Sequence, residues 1–286
     1  KPLSDGLQRR LESSTLTAND LERAFQPTKK DIDRIMIPSS KGFATFIFGL
    51  ETSLLDMDAI FYQAYAILAS SGNLVMPSKG KVSDTIGNSF QETKLAFGWG
   101  LPDSFEEVFL STVEKLMERE AMGKSMTIQP GAVLALERCM QSGNTIIVNT
   151  ALPRHLATKA LGITQLSSLL AANVDPENLI HPDTDDDKKP LVQTLAQKKV
   201  VDGRWQLIKA CAQARTSPML GMLVDSNHRN LLQAKRVGLC TVGVRGHALH
   251  AASLNSCDKV LASLLDFKID DCYAIIRRHA ELASGM

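Results

Sequence analysis

Three short apolar runs, each stopping at a polar residue, limit what this chain can fold into more than any other feature. The first spans residues 43–48, Phe-Ala-Thr-Phe-Ile-Phe, aromatic and β-branched and without alternation. A run of that kind suits a strand covered on both faces of a parallel sheet. Gly49, Glu51, Thr52 and Ser53 follow as a polar turn, and Asp56 opens a helical pattern through Phe61, Tyr65 and Leu68. The second run, residues 144–149, ends at the hydroxyl of Thr150, and the third, residues 219–224, ends at Asp225. A fourth strand is expected at residues 241–244. Polar loops that follow buried strands lie at the carboxyl edge of the sheet, where open α/β sheets bind ligands.

Between these runs the spacing predicts helices over residues 59–71, 83–97, 104–119, 132–142, 151–161, 253–265 and 270–282. Residues 267–273 could add an edge strand or a short helix. Residues 1–42 are polar, with helical spacing at Leu11, Leu16, Leu21 and Phe25 and interruptions at Pro27 and Pro38. They read as an N-terminal arm that packs on the body or docks a partner. The acidic run at residues 183–187 lacks the glycine and terminal glutamate of a calcium loop and reads as a solvated loop, with His181 beside it.

Composition removes several function classes. A net charge of +1 gives no electrostatic footing for nucleic acid or an anionic membrane. No apolar run approaches the length of a transmembrane helix. Five scattered cysteines with no Cys-x-x-Cys pair argue for reduced thiols in a soluble, intracellular protein, and against disulfides or zinc. The chain starts at Lys1, as a processed product would. Loss of a targeting peptide would place it in an organelle, a plastid or mitochondrion.

The order of these runs resembles the haloacid-dehalogenase-like (HAD) phosphatase superfamily across residues 43–245. The family's first motif reads strand, Asp-x-Asp-Gly-Thr-Leu. On this chain its first Asp falls on Gly49, its second on Glu51, its Gly on Thr52, its Thr on Ser53 and its Leu on Leu54. Thr150 matches the phosphate-binding hydroxyl of the second motif. Arg204 stands nearest the third-motif lysine, with Lys188, Lys189 and Lys199 as other replacements. Asp225 matches one of the two fourth-motif acids, and Val224 takes the place of the other. The resemblance implies a doubly wound, Rossmann-like parallel sheet over residues 43–57 and 126–286, with an all-helical cap over 58–125. Trp99 is expected to pack between cap helices, and residues 86–89 fall at the family's cap turn.

In that family the first Asp is the nucleophile and also a magnesium ligand, and both roles need a carboxylate. Gly49 supplies none. The chain is therefore expected to be a catalytically inactive member, a structural or binding subunit or assembly factor of a larger complex. Its docking surfaces would be the N-terminal arm or the C-terminal region, and no cofactor is expected. Two alternatives stand beside it. One is a magnesium-dependent phosphatase for a small phosphorylated metabolite, using Glu51 and Asp225. The other is a phosphometabolite sensor, holding its ligand through Ser53, Thr150 and Arg204.

Overall fold

The computed structural model describes residues 44–120, 126–171, 179–180, 206–208, 210–211, 214, 216–245 and 251–284. The N-terminal arm, the acidic run with His181, and Arg204 with its lysine alternatives lie outside the described residues.

The apolar runs become the middle of one parallel sheet. Strands β1 (Thr45–Gly49), β4 (Thr145–Asn149), β5 (Leu179–Ile180), β6 (Gly221–Asp225), β7 (Cys240–Val244) and β8 (Lys259–Leu261) stand in the order β5-β4-β1-β6-β7-β8. Every neighbouring pair is parallel. Strand order runs outward from β1 in both directions, so the carboxyl end of β1 is the topological switch point.

Each strand of the central three buries both faces, which is why the runs do not alternate. On one face Phe46, Phe48, Ile146, Val148, Met222 and Val224 join the larger core. On the other, Ile47, Ile147 and Leu223 meet Leu207, Ala210, Leu231 and Ala234. Phe267, fully buried, sets its ring 6.0 Å from Phe46 and 6.1 Å from Phe48. This aromatic cluster pins the C-terminal segment to the central strand. Helix α9 (Ile269–Ser284) then buries Cys272, Tyr273, Ile276 and Ala280 against the body.

The end of β1 runs into a π-helical turn (Leu50–Leu54) and a two-residue strand β2 (Leu55–Asp56). Strand β2 pairs antiparallel with β3 (Thr127–Ile128) in a small flap that sequence spacing does not reveal. Between β2 and β3 come four helices: α1 (Asp58–Ser71), α2 (Lys79–Ser83), α3 (Phe90–Phe97) and α4 (Phe105–Glu120). Tyr65 stacks on Phe109 at 4.5 Å, and Trp99 packs edge-on against Phe97 and donates its indole N–H to the Val75 carbonyl. Further helices among the described residues are α5 (Ala132–Gln141), α6 (Arg154–Ile163), α7 (Leu166–Ala171) and α8 (His228–Arg236), and residues 206–208 and 210–211 are also helical.

Two expectations are corrected. The helix predicted over residues 83–97 is broken, because Gly87 takes φ +85° and Ser89 starts a new helix with a capping box to Glu92. The helix predicted over residues 253–265 is instead two 3₁₀ turns (Ala251–Ser256 and Leu264–Asp266) flanking β8. Its apolar spacing fits a short strand equally well, and pairing with β7 decides. Among the described residues no helix is long and apolar enough to cross a membrane.

All five thiols are free, and burial pushes those of Cys211, Cys240 and Cys272 up to about 12. Such thiols are poor nucleophiles at neutral pH.

Removing the Phe267 ring leaves a cavity against β1. Phe267→Ala is expected to lower unfolding stability by about 3–5 kcal/mol in a urea titration.

Candidate functional site

Strand register decides what meets at the carboxyl edge. Gly49 pairs with Asn149 on one side, and Phe48 pairs with Val224 on the other, so Asp225 stands level with Gly49. Asn149, Gly49 and Asp225 therefore form a row across β4, β1 and β6, on the face that also carries Ile147, Ile47 and Leu223. The middle member has no side chain.

That gap is filled from within. A β-carbon built on Gly49 would stand 1.9 Å from Thr52 Oγ1, 2.8 Å from Asp225 Oδ2 and 3.1 Å from Asp225 Cγ. Gly49 itself has φ −69° and ψ 125°, ordinary extended backbone. Its glycine is needed for space and not for conformation. The residue that takes the space is Thr52, at the position where the family motif carries glycine.

Asp225 is fully buried. Its Oδ1 accepts the Asn227 amide at 2.7 Å and its Oδ2 accepts Asn230 Nδ2 at 3.1 Å. Burial raises its pKa, against the hydrogen bonds from Asn227 and Asn230. Glu51 is 3% exposed, and its Oε1 accepts the Ala151 amide at 2.6 Å. Its Oε2 has no hydrogen-bond partner. Burial pushes the Glu51 carboxyl up to about 7, opposed by the Ala151 amide, its own amide and the Thr150 hydroxyl, and helped by the Asp225 charge. Asn149 Oδ1 is likewise buried and unpartnered.

Thr150 is buried beside Glu51 and its Oγ1 accepts the Leu152 amide at 3.0 Å. The Ser53 hydroxyl donates to the Gly49 carbonyl at 2.8 Å and the Val224 carbonyl at 3.0 Å, stitching the end of β1 to β6. Of the sequence candidates, the fold thus gathers Gly49, Glu51, Ser53, Thr150 and Asp225 at one edge. His228, the first residue of α8, is exposed. Thr52, Asn149 and Asn227 were not singled out from sequence. A bulky residue at the motif's glycine position was the one available signal for Thr52.

The fold family implies a magnesium ion, and the donor set here does not fit one. Gly49 offers no side-chain oxygen, Val224 is apolar, and both Asp225 oxygens already accept hydrogen bonds. Among the described residues no group of three His, Cys, Asp or Glu could hold a metal. The edge holds a pair of buried carboxyl groups with no described cation between them; Arg229, in the first turn of α8, pairs with Glu92 at 2.5 Å. Once both are ionised, two carboxylates in a low-dielectric site repel an anion.

No protein-family model and no curated protein match the chain. Solved structures do. A hydrolase from Pseudomonas syringae superposes with a TM-score of 0.62 at 18% identity, covering 81% of this chain and 98% of that one. A HAD hydrolase of family IA from Entamoeba histolytica gives 0.64 at 12% identity, over 82% and 99%. A β-phosphoglucomutase from Clostridium difficile gives 0.60 at 13%, over 82% and 98%. This chain has the fold of the HAD-like hydrolases, and at these identities the likeness is one of fold.

Filling the Gly49 gap should be costly in proportion to what Thr52 places there. Gly49→Ala is expected to lose about 1–3 kcal/mol of stability, and less in a Thr52→Ala background, with a coupling of about 1 kcal/mol in a double-mutant cycle. Glu51 yields a second expectation. Its folded pKa of about 7 lies above the ordinary 4.5, so the stability it confers is complete below about pH 4.5 and is lost as pH rises through 7. Relative to Glu51→Gln, the wild type is expected to lose about 3 kcal/mol of unfolding free energy between those pH values.

Proposed function

We propose that this chain is a non-catalytic protein on a HAD-like scaffold, serving as a structural or binding subunit or assembly factor of a larger complex. One observation carries the reading. The position of the family's nucleophile is a glycine, and the volume a carboxylate would need is occupied by Thr52 Oγ1 and Asp225. The loss is thus supported by more than a single substitution, because the surrounding side chains have closed over it. Covalent phosphoryl transfer needs an attacking oxygen at that point.

In this reading the four helices between β2 and β3 are the family's cap, retained as a packed layer over the sheet edge. The C-terminal segment is committed to the core through Phe267 and α9, which leaves the N-terminal arm as the favoured docking element. Glu51, Thr150 and Asp225 favour a second reading, a phosphatase in which Glu51 serves as acid or base near neutral pH. It would have to use water in place of the family's carboxylate nucleophile and lacks a fitting metal site, so we place it second. A phosphometabolite sensor would need a cation from Arg204 to offset the two carboxyl groups.

Hydrolysis of a panel of small phosphomonoesters with magnesium separates these readings. The wild type is expected to release no more phosphate than Asp225→Ala. Turnover that Asp225→Ala abolishes would establish the phosphatase reading instead.

A further inference from the structure

We infer that the helical insert is latched shut over the carboxyl edge of the sheet by side chains of this chain itself, so that the closed state is the resting state. The latch joins the loop after β6 to the turn between α2 and α3.

Asn227 is its centre. It is 6% exposed, and its Oδ1 caps α8 by accepting the Arg229 and Asn230 amides at 2.9 and 3.1 Å. Capping uses only the oxygen. The amide nitrogen reaches across to the insert, donating to the Ile86 carbonyl at 2.6 Å and Asn88 Oδ1 at 3.1 Å. A buried amide with both ends satisfied is costly to open, because opening strands each partner.

The contact is close as well as polar. A β-carbon on Gly87 would meet Thr52 Cγ2 at 2.7 Å and Asn230 Nδ2 at 3.3 Å. The left-handed turn at φ +85° presses backbone directly onto the residue that fills the Gly49 gap. Arg229 then pairs with Glu92, which is 9% exposed and fixed by its capping box with Ser89. On the far side Lys159 of α6 bridges Glu114 and Glu118 of α4 at 2.8 and 2.6 Å. Those pairs are exposed and weak, and the Arg229 side chain is itself 43% exposed, so the hold rests mainly on Asn227 and Gly87.

Closure therefore depends on no ligand: the groups that would greet one are turned on each other. The inference is independent of whether the site turns over substrate. Local opening is read by amide hydrogen exchange on the full chain, comparing wild type with Asn227→Ser, which keeps the cap oxygen, and with Arg229→Ala. Exchange in residues 50–56 and 84–90 is expected to rise about tenfold in Asn227→Ser and severalfold in Arg229→Ala, with β7 unchanged, as local opening requires. Unchanged rates in both variants would overturn the latch. So would an equal rise over β7, since the contact would then belong to global stability alone.

Discussion

Strand β1 is buried along its whole length, and the constraint that follows governs everything at its end. A chain leaving a fully covered strand carries carbonyls and side chains that have lost water and must find other partners. Ser53 meets part of that demand by bonding the Gly49 and Val224 carbonyls, and Ser226 meets more by donating to the Thr52 carbonyl at 2.6 Å. The end of β1, the π-helical turn and the end of β6 are thereby one unit. Anything that changes at Gly49 is felt at Thr52 and Asp225, because all three share the same few ångströms.

That unit explains how the strand end keeps its shape with a glycine at residue 49. Here Glu51 and Asp225 are held by hydrogen-bond donors of this chain. Asp225 is surrounded by amide donors. Glu51 takes one backbone amide and, at a pKa near 7, carries a proton through much of the acidic range. A neutral carboxyl beside a carboxylate is the cheaper arrangement in a buried place. The insert lies directly on this region through Gly87 and Asn227, so the packing of the helices and the state of the site are parts of one structure.

Much of the architecture was legible from the residues alone. Runs such as residues 43–48 and 219–224 are apolar without alternation, and burial on both faces is the simplest cause. The order strand, helices, strand, helix, strand, helix also fits one sheet with one helical insertion. The failures have a common origin. Strand β8 has only three residues, and its spacing cannot be told from a helical turn until β7 is beside it. The break at Gly87 comes from a backbone pressed against Thr52, a contact that sequence spacing does not encode.

For the site, the sequence by itself determined the chemistry that is missing: Gly49 has no carboxylate, and Val224 has no oxygen to offer a metal. It also determined the candidates that converge, because residues ending parallel strands must lie at one edge. Only the tertiary structure decided what takes the vacated space. Thr52 is three residues beyond Gly49, and it fills the gap because the π-helical turn folds its hydroxyl back over the strand end. The roles of Asn227 and Glu51 were decided the same way. Asn227 was not singled out from the sequence and Glu51 stood only as the counterpart of the motif's second Asp, until packing brought Ile86 to one and removed water from the other.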